Sequence, residues 1–113
     1  MGGQQFGTGA LHVSTARMND VLAFDAERGI VTAEAGIRWP ALIDYLLEQQ
    51  TAPRWSIMQK QTGADQLSIG GSISTNIHGR GLTLRPLVQD IEAFRLVTAA
   101  GEELTLSHAA RAI

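Results

Sequence analysis

The feature of this 113-residue chain that most restricts its fold is where its twelve glycines stand. Gly2, Gly3, Gly7 and Gly9 crowd the first residues, and Gly63, Gly70, Gly71, Gly79 and Gly81 crowd a second stretch near the middle. Glycine costs backbone entropy inside a regular element. It is at home where the chain turns sharply or where main chain meets another group closely. Both stretches therefore read as turns and close approaches, and long regular elements are confined to the segments around them.

Those segments carry clear periodicities. Residues 21–25 are β-prone, Ala26-Glu27-Arg28-Gly29 has turn chemistry, and residues 30–35 alternate, with Val31, Ala33 and Ala35 on one face and Thr32 and Glu34 on the other. This pattern predicts a β-hairpin. Residues 10–14 form a further short strand candidate. From 38 to 50, Trp39, Leu42, Ile43, Leu46 and Leu47 follow one helical face, while Asp44 and Glu48 lie off it. Pro40 suits the first turn of that helix, where its missing N–H costs nothing. A helix this short gains most of its stability by packing its apolar face on a sheet. Residues 53–67 carry few regular signals. Residues 91–97 and 103–106 flank Thr98-Ala99-Ala100-Gly101 and predict a second hairpin. Ser107 is placed to cap a helix opening in 107–113. The expected fold class is α+β (α/β), a mostly antiparallel sheet with packed helices.

Composition narrows the function classes. The net charge is −2 and no basic run is present, so a nucleic-acid partner is not expected. No apolar run approaches the roughly 18 residues of a membrane span. The N-terminus, Met1-Gly2-Gly3-Gln4-Gln5, has neither a basic patch nor an apolar stretch, and there are no cysteines. These features fit a cytoplasmic protein without thiolate chemistry. His12, His78 and His108 are too far apart for metal-ligand spacing, so no metal is expected.

The segment with chemical content is Ser68-Ile69-Gly70-Gly71-Ser72-Ile73-Ser74-Thr75-Asn76-Ile77-His78-Gly79. Paired glycines let a backbone approach a ligand, and successive N–H groups in such a turn can form an anion-binding nest. Ser72, Ser74 and Thr75 add hydroxyls, and Asn76 and His78 add longer hydrogen-bonding side chains. The set suits a pyrophosphate or heteroaromatic ligand. It equally describes a tight Ser/Thr-rich connection with a structural histidine, and the residues alone leave both readings open. There is no Walker loop, no G-x-G-x-x-G fingerprint and no nucleophile elbow. Asp20 and Asp25 read as turn residues, Glu102 and Glu103 as solvated turn residues, and Arg54 and Lys60 as surface charges.

With these motifs in view, the chain resembles the FAD-linked oxidases of the vanillyl-alcohol oxidase type, with their PCMH-type FAD-binding domain. Ser68-Ile69-Gly70-Gly71, with six residues between Gly71 and His78-Gly79, is similar to that family's signature. Val31-Thr32-Ala33-Glu34-Ala35-Gly36, leading to the Trp39-Pro40 helix, looks like its V-x-V-x-A-G strand and helix. Phe94 to Gly101 looks like its L-V-T-A-D-G hairpin. Sugar-lactone oxidases, alditol oxidase and decaprenylphosphoryl-ribose oxidase share the pattern. The resemblance implies FAD as cofactor, held between two α/β subdomains. It implies that Gly63, Ser68, Ile69, Gly70 and Gly71 line the pyrophosphate and ribityl region. Thr75, Asn76, Ile77 and His78 would continue along the flavin, and Gly2 and Gly3 would be the tail of a first glycine-rich loop.

The implied function is FAD binding within an oxidoreductase acting on alcohol or sugar-lactone CH–OH groups. No residue is assigned as catalytic. Two other readings stand beside it: a non-catalytic nucleotide-binding or interaction module, and the FAD domain of a molybdenum hydroxylase or cell-wall precursor reductase. Compared with the family, residues 1–113 correspond to a partial domain. The upstream strand-helix-strand and the downstream substrate domain are expected to be missing, and the fragment is expected to be inactive and prone to self-association.

Overall fold

The computed structural model describes residues 7–52, 55–79, 81, 83 and 85–107. Two antiparallel hairpins and two α-helices are present, in the order β1 (Val21–Asp25), β2 (Ile30–Ala33), α1 (Trp39–Glu48), α2 (Ile69–Ser74), a 3-10 turn (Leu87–Asp90), β3 (Ala93–Val97) and β4 (Glu103–Ser107). The two hairpins are separate two-stranded sheets, β1 with β2 and β3 with β4.

The first hairpin forms where turn chemistry and alternation predict it. Asp25 Oδ1 accepts the N–H groups of Glu27 and Arg28, both at 3.0 Å, and Gly29 closes the turn at φ +67°. The pairs Phe24↔Val31 and Asp25↔Ile30 set the register, with a bulge between Val21 and Ala23. Trp55 clasps the turn: its Nε1 donates to Ala26 O at 2.7 Å, and its ring stands 2.6 Å from where a Cβ at residue 29 would be.

α1 begins after Arg38, with Pro40 in its first turn as expected. Leu42 and Leu46 are buried with Ile37 against Val21, Phe24, Val31 and Ala33, so the helix packs on the first hairpin. Trp39, 1% exposed, turns to a second cluster with Ile77 and Leu87, joined by Ile43, Ile57, Leu67, Ile69 and Ile73. Two clusters meeting along one helix explain the width of its apolar stripe. The stripe is narrower than its sequence pattern suggests, because Leu47 is 53% exposed.

Two other expectations are corrected. Residues 10–14 form no strand and are exposed. Alternation there satisfies only the side-chain half of strand formation, and the main chain finds no ladder partner among the described residues. Instead residues 15–18 turn back, with Met18 N donating to Thr15 O at 2.9 Å, and lie against Gly36. Residues 69–74, read from sequence as glycine-rich turn, are helical. The helix proposed for 107–113 falls, beyond Ser107, outside the described residues.

The second hairpin matches its predicted position, with Phe94↔Leu106 and Leu96↔Leu104 in register. These four side chains share one face, and all remain substantially exposed. Thr98 organises the turn, its Oγ1 accepting from Glu102 N and its main-chain O from Gly101 N. Glu103, expected to be a solvated turn residue, lies in β4 and pairs with Arg95 at 3.1 Å.

Candidate functional site

α2 exists in spite of its composition. A six-residue helix containing Gly70 and Gly71 has poor intrinsic propensity, and tertiary bonds supply what propensity lacks. Ile69 N donates to Ile37 O at 2.9 Å and Gly70 N to Ala35 O at 2.8 Å. Ser68 is the N-cap, and its Oγ accepts from Gly71 N at 3.2 Å. The first three helical N–H groups, ordinarily left over at a helix start, are therefore all taken up within the chain. Two of these amides hold the helix to the turn at residues 35–37 that follows β2, and the third is held by the helix's own cap.

The other end is equally specified. Asn76 N donates to Ile73 O at 2.9 Å and Ile77 N to Ser72 O at 3.1 Å, with Asn76 left-handed at φ 49°. This pair of reversed bonds is a Schellman motif, and asparagine is one of the few side chains that tolerate its left-handed position. Asn76→Gly is expected to change stability by less than about 0.5 kcal/mol, whereas Asn76→Val should cost about 1–2 kcal/mol. Thermal unfolding of the two variants checks this; equal midpoints would show that the left-handed cap does not matter.

The two caps sort the sequence-predicted site residues. Ser68 and Asn76 terminate α2. Ile69 and Ile77 are core side chains, and Ile77 O also accepts from Leu87 N at 2.9 Å. Gly70 permits contact with residue 35, since a Cβ there would stand 2.9 Å from both Ala35 Cβ and Ala35 O. Ser72, counted among the hydroxyl donors from sequence, is fully buried, and its Oγ has no hydrogen-bond partner among the described residues. Gly2 and Gly3 lie outside the described residues, as do Arg54 and His108.

What remains open to a ligand is a polar edge at the C-terminal end of α2. Ser74, Thr75, Asn76 and His78 are exposed in succession, interrupted only by buried Ile77. Thr75 Oγ1 donates back to Gly71 O at 2.9 Å. His78 Nδ1 lies 3.0 Å from Gly79 O. A carbonyl can only accept, so Nδ1 carries the proton in this bond. A Cβ at Gly71 would meet only Ser68 Oγ, at 3.1 Å, and Gly63, at φ +77°, has open space on its Cβ side. Lys60, expected to be a surface charge, is partly buried and ion-paired with Asp65. Ser74 stands out only in the structure, which separates its exposed hydroxyl from the buried one of Ser72.

The family model described as the FAD binding domain matches residues 1–107. The chain belongs to the FAD binding domain family. FAD is accordingly the cofactor, as the signature at 68–79 implied. Among its relatives, the chain is 34% identical over 95 residues to L-galactono-1,4-lactone dehydrogenase 1, mitochondrial, of Oryza sativa subsp. japonica, which covers 84% of this chain and 15% of that protein. It is 33% identical over 100 residues to L-gulono-1,4-lactone dehydrogenase of Mycobacterium tuberculosis, 88% of this chain and 22% of that protein. It is 35% identical over 92 residues to L-gulonolactone oxidase of Scyliorhinus torazame, 81% of this chain and 20% of that protein. The chain thus spans less than a quarter of the length of these relatives.

Proposed function

We propose that residues 1–113 furnish one wall of the FAD cradle of a PCMH-type flavoenzyme that oxidises a CH–OH group of a sugar lactone or related alcohol. The observation that carries this reading is the polar edge Ser74–His78, fixed by a capped helix within a chain matched to the FAD binding domain over residues 1–107. FAD, when bound, supplies the acceptor for the hydride that leaves the substrate carbon. The chain's part is binding and orientation.

The described residues fit that cofactor in a particular way. Gly71 and Gly63 leave space where a side chain would stand. Ser74 and Asn76 offer donors at the surface, and His78 offers an exposed imidazole. The amides of Ile69, Gly70 and Gly71 are engaged within the chain, so phosphate or ring contacts on this wall fall to Gly63, Ser74, Thr75, Asn76 and His78, with Gly71 contributing the room that its missing side chain leaves. The lactone substrate class rests on the names of the three relatives. The uncovered face of Phe94, Leu96, Leu104 and Leu106 supports self-association of the isolated chain.

Titration of ¹⁵N-labelled chain with FAD tests the proposal. Shifts are expected at residues 71–79 and not along β3 and β4, with half-saturation weaker than about 1 μM because one wall alone supplies the contacts. No shift at 71–79 at millimolar FAD would leave the interaction-module reading in its place.

A further inference from the structure

Gln59 lies in an irregular segment to which the sequence assigns no role, yet it is 6% exposed. Its Nε2 donates to Asp90 Oδ2 at 2.8 Å, at the end of the 3-10 turn. Because the partner is a carboxylate, the nitrogen faces Asp90 and the oxygen faces the other way. That Oε1 is buried and has no hydrogen-bond partner among the described residues. Burying an amide oxygen unpaired costs stability, and a leucine or methionine of similar volume would avoid the cost. Packing alone therefore does not account for an amide here, whereas the bond to Asp90 does.

The surroundings show what the bond holds. A Cβ at Gly79 would stand in ordinary contact with Gln59, 3.6 Å from its Cβ and 3.7 Å from its Oε1, so the Gln59 side chain neighbours the open side of Gly79. On the same segment Ile77 O accepts from Leu87 N, at the start of the 3-10 turn. The 3-10 turn thus holds both sides of this segment: Leu87 bonds Ile77 at its start, and Asp90 at its end fastens Gln59, the neighbour of Gly79. His78, between these two points, has an exposed ring whose Nδ1 is tied to Gly79 O.

We propose that Gln59 is a positioning residue that, by tying the segment beside Gly79 to the 3-10 turn through Asp90, sets where the His78 ring stands on the cofactor wall. This rests on the reading that residues 71–79 face FAD. Gln59 itself is enclosed and does not reach the ligand.

The test reverses the polarity of this tie. Gln59→Glu sets two carboxylates face to face. Combined with Asp90→Asn it restores a hydrogen bond, with donor and acceptor exchanged. Without FAD, amide exchange of residues 77–79 and 87–90 should quicken about tenfold or more in Gln59→Glu and in Gln59→Leu, with α1 unchanged, and return to wild-type rates in the double variant. With FAD, half-saturation followed by ¹⁵N shifts and flavin emission should rise about fivefold or more in Gln59→Glu and recover in the double variant. Exchange quickening uniformly through α1, or failure of the double variant to recover, would reduce Gln59 to a general core residue and overturn the proposal. Wild-type response to FAD with an identical response in Gln59→Glu would overturn it while sparing the cofactor reading. A wild-type chain silent to FAD would refute the cofactor reading and the positioning role with it.

Discussion

Replacing Gly36 by alanine is expected to cost at least about 3 kcal/mol, the upper range of overpacking penalties, and valine more. The added Cβ would stand 1.9 Å from Thr15 O and 2.6 Å from Met18 O, both main-chain atoms that cannot rotate away. Relief requires residues 15–18 to lift from the 34–36 corner. That corner is where Glu34 N donates to Asp20 O and Glu34 Oε2 accepts from Asp20 N, which ties the approach to β1 to the end of β2. It also precedes Ile37, the anchor of the first core cluster. The damage therefore spreads into the packing of α1 on its hairpin. Urea unfolding followed by tryptophan fluorescence measures it, with Trp39 reporting from the core. An unchanged midpoint would mean that residues 15–18 do not lie against Gly36 in solution.

What could be read in the sequence was what local chemistry determines. α1 was legible because Leu42 and Leu46 repeat at the helical period and Pro40 marks its start. Both hairpins were legible because Asp25 with Gly29, and Thr98 with Gly101, are turn residues between β-prone runs. α2 was not legible, because what makes it helical is remote: carbonyls at Ala35 and Ile37 capture its first amides. Residues 10–14 misled for the converse reason, having the strand pattern without a ladder partner among the described residues. In the candidate site, the identity of the important segment was visible while the division of labour within it was not. A serine that caps a helix, a serine that is buried and a serine that faces solvent, here Ser68, Ser72 and Ser74, look alike in a sequence. Gln59 gave no signal, since burial of an amide depends on Asp90 and Gly79, which lie far along the chain.

The paired glycines are expected to separate fold from ligand. At Gly70 an alanine Cβ would press at 2.9 Å on Ala35 Cβ and on Ala35 O, the acceptor of residue 70's own amide at 2.8 Å. α2 would be pushed from the strand end, and Gly70→Ala should cost about 2–3 kcal/mol. At Gly71 the Cβ would meet only Ser68 Oγ at 3.1 Å. Alanine there gains about 0.5–1 kcal/mol in helix propensity, roughly offsetting the cap bond if Ser68 turns aside. Gly71→Ala should therefore fold with wild-type stability to within about 1 kcal/mol. Its cofactor response should nevertheless weaken, and Gly71→Val should weaken it further, because the space beside residue 71 is what the proposed wall offers FAD. Denaturation midpoints and FAD titrations on the three variants, taken together, decide the matter. If Gly71→Ala kept both wild-type stability and wild-type FAD response, the second glycine would have no part in the cradle, and the wall would reduce to Gly63 and the side chains from Ser74 to His78.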